Sequence, residues 1–178
     1  MGVEKEPLGV KLFMAVTFRK STTVESVLEL LAHSYGTPER FYGSVPFIWS
    51  DYYSEEMGQE LEKYYAIFPV PIKRDNLDSI KNSTNRLEND WAIDGRRTIN
   101  LDPGYLARDK LVLASTKDFF HRIYLGAGIY GEVTLHYRKG VFRHFSWTYP
   151  DYKDPQFLEF LYAARAQLVF EHRNEEQR

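Results

Sequence analysis

The 178-residue chain contains no cysteine. That excludes disulfides, thiolate metal sites and cysteine nucleophiles together, and it suits a reducing compartment, so a cytoplasmic protein is expected. Long apolar runs are also lacking, and none approaches the ~20 residues a bilayer-spanning helix needs. No membrane association is therefore expected. The opening MGVEKEPLG has no hydrophobic stretch behind its charges and predicts no secretory signal. Gly2 meets the first demand of myristoylation, but Glu6 stands where serine or threonine is required. Charge of one sign is not in excess. A net charge of −2 argues against nucleic acid as the main partner. The phosphate loop GxxxxGK[ST] is missing, and STKD at Ser115 to Asp118 lacks the spacing of a guanine-reading NKxD. HExxH, paired-histidine and Ser-His-Asp patterns are missing too.

What is present reads as one globular α+β domain over residues 1–178, with about 1–10 and 172–178 expected to fray. The 43% hydrophobic and 27% charged content lies far from the composition of disorder. Lys11 to Arg19 alternates as a strand, with Leu12, Met14, Val16 and Phe18 on one face. Thr22 and Glu25 have capping-box spacing ahead of a Val24, Val27, Leu28, Leu31 stripe, and Gly36 follows the helix. Phe41 to Trp49 and Tyr64 to Val70 are aromatic strands whose Pro46 and Pro69 suggest edges or bulges. Leu77, Ile80, Thr84, Leu87 and Trp91 place a helix over about Asp75 to Trp91, and Thr98 to Asp102 resumes alternation. In order this is β-α-β-β-α-β, the ferredoxin-like plan, with two helices on one face of an antiparallel sheet.

Further antiparallel strands and a C-terminal helix are expected beyond that core. Lys110 to Thr116 reads as a buried strand, although seven residues are also compatible with a helical turn. His121 to Leu125 and Tyr130 to Arg138 form a hairpin around Gly126-Ala127-Gly128, and Val141 to Trp147 is another strand. Asp154 with Pro155 has N-cap and N1 chemistry for a helix carrying Phe157, Leu161, Ala164 and Leu168.

Four stretches carry a resemblance: GRRTINLDPGYL (Gly95 to Leu106), KLVLASTKDFFHRIYLGAGIYGEVTLHYRKG (Lys110 to Gly140), WTYPDY (Trp147 to Tyr152) and SDYYSEEMG (Ser50 to Gly58). Together they are similar to a family of bacterial and archaeal proteins known as domain of unknown function DUF4416. The resemblance covers nearly the whole chain and implies no activity, cofactor or site.

The residues themselves nominate a region. Chemically useful groups are densest between Arg96 and His136. Alternation puts Asn100 and Asp102 on one face of their strand, and Glu132, Thr134 and His136 on one face of theirs. With Arg122 they could gather on the side of the sheet away from the helices; the plain alternative is the solvated face of a one-sided sheet. Asp102-Pro103-Gly104-Tyr105 reads as a tight turn that aims Asp102 as a general base or metal ligand, or merely caps its own backbone. Ser115 to Arg122 collects hydroxyls, Lys117, His121 and Arg122, a kit for a phosphate or carboxylate, or else an ordinary charged loop.

The candidate catalytic residues are Asp102, Glu132 and His121, and the candidate ligand-binding residues are Arg97, Asn100, Tyr105, Lys117 and Arg122. His121 shares nominal strand parity with Ile123 and Leu125, so a buried histidine is the default reading and acid/base work the sharper one. The cofactor is unknown. A divalent cation such as Mg²⁺ is compatible with Asp51, Glu55 and Glu56, although Ser54 as an N-cap with first-turn acids explains that cluster better. The favoured reading is a small-molecule site for an anionic, phosphate-bearing ligand with hydrolase or transferase chemistry. The alternatives are a non-enzymatic binding or homo-oligomeric assembly module, and an RNA-associated factor. The last is disfavoured because the basic and aromatic run of an RNA-binding sheet is missing.

Overall fold

A computed structural model describes residues 2–22, 24–49 and 53–177. Its strands are β1 (Val10–Arg19), β2 (Arg40–Pro46), β3 (Leu61–Ile72), β4 (Ile99–Leu106), β5 (Lys110–Ser115), β6 (Ile123–Gly126), β7 (Ile129–Arg138) and β8 (Val141–His144). The helices are α1 (Val24–Tyr35), the single turn α2 (Ser54–Met57), α3 (Leu77–Asp90) and α4 (Pro155–Glu176). All eight strands join one antiparallel sheet in the order β2-β3-β1-β4-β5-β7-β6, with β8 also paired to β7. No helix among the described residues is long and apolar enough to cross a membrane.

Both faces of β1 are apolar, and each is covered. Leu12, Met14, Val16 and Phe18 pack with Val27 and Leu31 of α1 and with Ile80 and Leu87 of α3. Phe13 and Ala15 pack with Phe157, Leu161, Ala164 and Leu168 of α4. The expected open face is therefore half filled, because the apolar stripe of α4 needs burial of its own. Asp154 caps this helix as its sequence predicts, accepting from the Gln156 and Phe157 amides at 3.0 Å each.

The last turns of α4 are packed against the rest of the chain. His172 is buried and bridges Gly9 O (2.9 Å) and Arg108 Nε (2.8 Å), and Glu176 pairs with Arg108, so α4 holds its register to its last turn.

Proline and glycine shape the middle of the sheet. Pro69 and Pro71 lie in β3 beyond Arg40↔Ile67, the last β2–β3 pair, so their missing donors fall where β3 has lost that neighbour. The predicted turn at Asp102-Pro103-Gly104-Tyr105 is instead continuous strand, paired with β1 from Ile99 to Leu106. Gly104 is needed there for close approach. A Cβ on it would sit 2.2 Å from Val112 O, so only glycine lets β4 meet β5 at Gly104↔Leu113.

Below that pair β4 and β5 part. β4–β5 pairing covers only Gly104 to Leu106, while β4 runs on beside β1 to Ile99. Pro103, which has no N–H, stands at the fork. The backbone freed by the split is taken up by α3: Glu88 Oε1 accepts the Leu101 N–H at 2.7 Å, and Lys81 Nζ donates to Leu101 O at 2.7 Å. The opening between β4 and β5 is the mouth of a cleft.

Candidate functional site

The cleft has a volume of about 310 Å³. One wall is β4 and α3, with Asn100, Asp102, Lys81 and Glu88; the other is the end of β5 with Ser115 and Lys117, then Arg122 and Glu132. Aromatic side chains close it: Phe47, Trp49, Tyr53, Tyr149 and Tyr152. Six of the eight residues nominated from sequence line it, namely Asp102, Glu132, Arg97, Asn100, Lys117 and Arg122.

Two nominations fall outside the lining. Tyr105 points to the other face of β4, packing near Leu77 and Val112, because it has the parity of Leu101 rather than of Asp102. His121 sits behind the lining, its Nε2 3.2 Å from Glu132 Oε2 and its ring stacked on Trp147 at 4.9 Å.

His136 does not gather with Glu132 either. The β5–β7 ladder slips between Leu111↔Leu135 and Val112↔Val133, so a bulge at Thr134 inverts the alternation that sequence parity extends through it. Glu132 thus shares a face with Leu135, and His136 packs on Phe145. Arg122 and His121 both reach Glu132 because they lie in the turn ahead of β6, where strand parity does not apply.

The charges are closely matched. Arg97 is the hub of the β4 side. It binds Glu56 through Nε and Nη2 at 2.8 and 2.7 Å, Glu88 at 3.0 Å and the Asn100 amide oxygen at 2.9 Å. Donating these hydrogen bonds to Glu56 holds its guanidinium charged well beyond the usual range. The same bonds pull Glu56 below the usual carboxylate range. Burial pushes Glu88 up, against the pull of Lys81, the Leu101 amide and Arg97. Asn100 Nδ2 donates to Asp102 at 2.7 Å, and Lys81 Nζ lies 3.4 Å from Asp102.

On the β5 side, Arg122 Nε binds Glu132 at 2.7 Å, and its Nη1 reaches Ser115 Oγ and Lys117 O, each at 2.9 Å. Thr134 donates to the other Glu132 oxygen at 3.3 Å. Glu132 is 2% exposed and Asp102 29%, so Asp102 is the carboxylate open to a ligand.

Several cleft residues carried no signal in the sequence. Lys63 is buried beside Asp151 at 2.5 Å, over the rings of Phe47, Tyr65 and Tyr152 at 5.1 to 5.4 Å. Lys81 and Glu88 are α3 residues whose seven-residue spacing puts both on one face, the face toward β4; the helical period alone does not tell which strand that face meets. Burial and the charge of Asp102 push the Tyr53 phenol far up, so it faces the cleft as a neutral hydroxyl.

No group of three or more metal-ligating side chains converges among the described residues. Asp51 lies outside them. Glu56 is taken by Arg97, and Ser54 is the first residue of α2 rather than its cap, the cap position being Tyr53 with no side-chain bond. The family model described as Domain of unknown function (DUF4416) matches residues 8–168. The chain belongs to the DUF4416 family. The matched DUF4416 span includes every residue that lines the cleft. No curated protein and no solved structure matches the chain.

Proposed function

We propose that the cleft binds a small anionic, ring-bearing molecule and acts on it by acid/base chemistry of the hydrolase or transferase kind. The observation that carries this is the convergence of Asp102, Asn100, Lys117 and Arg122 on one cavity opposite Trp49, Tyr53 and Tyr149. Its volume is at the small end of ligand pockets, which run from ~300 to ~1,000 Å³. Five cations face four carboxylates across the lining, which favours a ligand with a modest negative charge over a polyanion.

In this reading the ring lies on the aromatic wall. The anionic end meets Ser115, Lys117 and Arg122, where a hydroxyl, a point charge and a planar fork combine. Asp102 is the acid/base, since it is the most open carboxylate of the lining and is oriented by Asn100 and Lys81. Glu132 is a positioning residue: its oxygens are committed to Arg122, His121 and Thr134. A divalent cation would arrive with the ligand. The chain's fold is read as a ferredoxin-like core, supported by the order β2-β3-β1-β4 with α1 and α3 on one face, extended by β5 to β8 and α4. The lack of cysteine supports a cytoplasmic setting.

The test is a thermal-shift screen of the whole chain with nucleotides, sugar phosphates and aromatic carboxylates, each with and without Mg²⁺. A specific ligand raises the melting temperature by mass action, and Lys117→Gln and Asp102→Asn each abolish that rise. A rise that survives both substitutions, or no rise with any anion, overturns the reading.

A further inference from the structure

The structure assigns a second feature away from the cleft: we propose that the free edge of β6 pairs with the β6 edge of a second copy of this chain. β6 is the terminal strand of the sheet path, bonded to β7 on one side only. Such a strand presents a row of main-chain groups that another strand can pair with. The sequence across it, IYLGAGIY from Ile123 to Tyr130, holds no charge and no proline, two of the usual devices for blunting an edge.

The side chains point the same way. Phe119, Phe120, Ile123, Tyr124 and Leu125 are 51%, 89%, 73%, 59% and 43% exposed within seven residues of chain. An aromatic side chain offers ~150–250 Å² when buried, so this patch supplies on the order of 600 Å² per copy. A stable interface takes ~800 Å² per partner, and the patch lies at the top of the ~300–600 Å² that monomers expose. Main-chain pairing and the flanking loop supply the remainder. A bulge between Tyr124 and Gly126 shortens the ladder, so side chains carry most of the contact.

A second copy fits this edge because the strand and its flanking side chains are uncharged from Phe119 to Phe120 and from Ile123 to Tyr130. Antiparallel pairing about a two-fold axis sets the same apolar side chains of each copy, Phe120, Ile123 and Tyr124 among them, against those of the other.

Sedimentation velocity of the full chain over a range of concentrations tests this. The expected result is a dimer that Ile123→Lys weakens at least a hundredfold, with unchanged circular dichroism and melting temperature of the monomer. Phe120→Glu should act likewise, while Val70→Lys, exposed on β3 far along the sheet, should leave the dimer intact. A chain that stays monomeric throughout, or a dimer indifferent to both β6 substitutions, overturns the proposal, as does one lost equally with Val70→Lys.

Discussion

Glu88 of α3 accepts the Leu101 N–H of β4 at 2.7 Å, in the place a neighbouring strand would hold had β5 not turned away. A helix carboxylate thus closes a sheet ladder. The same side chain faces Arg97 at 3.0 Å and Lys81 at 3.9 Å, so it joins the scaffold of the fork to the charges of the cleft.

Glu88→Ala should therefore be severe. It leaves a buried amide without an acceptor and two cations without their shared anion, a loss of about 3–5 kcal/mol for a broken buried pair. Glu88→Gln keeps an oxygen for Leu101 and should cost clearly less. Urea denaturation of both variants checks this; equal losses would show that charge, not the amide bond, dominates at the fork.

Acid stability should follow from three glutamates with opposite signs. Hydrogen bonds from Arg97 hold Glu56 below the usual carboxylate range. Burial pushes Glu171 up, but bonds from Lys11 and Gln167 and the charges of Lys11 and His172 bring it below that range. These two stabilise the fold above the ordinary glutamate value, and the contribution is lost as pH falls through their folded values. Glu88 is raised. Between the ordinary value and its higher folded value the folded chain binds the extra proton, so its contribution falls as pH rises through that window. Urea midpoints measured between about pH 3 and 7 should show Glu56→Gln flattening the acid limb, and Glu88→Gln removing the fall just above the ordinary glutamate value.

Arg122 and Glu132, 5% and 2% exposed, should behave as one unit. Arg122→Met strands a buried carboxylate and should cost about 3–5 kcal/mol. Adding Glu132→Leu removes the stranded charge, so the double variant should lose less than the sum of the two, with a coupling of about 1–3 kcal/mol. A double-mutant cycle in urea measures this, and strict additivity would mean that His121 and Thr134 alone sustain Glu132.

The sequence was most legible where a period ran unbroken. β1 shows its alternation in Leu12 to Phe18, and α4 its cap in Asp154 and Pro155. Local rules failed where a distant partner decided the outcome. Asp102-Pro103-Gly104-Tyr105 has turn chemistry, yet β1 holds it extended and the nearness of Val112 O explains the glycine. The bulge at Thr134 moved His136 off the face of Glu132, because parity counts residues and a bulge adds one. Lys63, Lys81 and Glu88 carry no signal of their own in the sequence, and gain a role only with β3 and α3 beside the fork. Convergence of Asp102 with Arg122 from separate stretches needed the strand order, which alternation does not encode.

Gly104 separates these two kinds of information most sharply. Gly104→Ala places a methyl 2.2 Å from Val112 O and 2.8 Å from Leu113 Cδ2. The backbone oxygen cannot swing away, so β4 and β5 must part along the three pairs that hold the two halves of the sheet together. Overpacking ordinarily costs about 1–3 kcal/mol, and a main-chain collision should reach or exceed the top of that range. Gly131→Ala is the fitting comparison, since its Cβ would meet only Leu125 side-chain carbons, the nearest at 3.2 Å, and an exposed leucine can turn aside. Thermal and urea unfolding of the two variants should rank Gly104→Ala far below Gly131→Ala; similar losses would mean that β4 and β5 can separate at the fork without loss of the sheet.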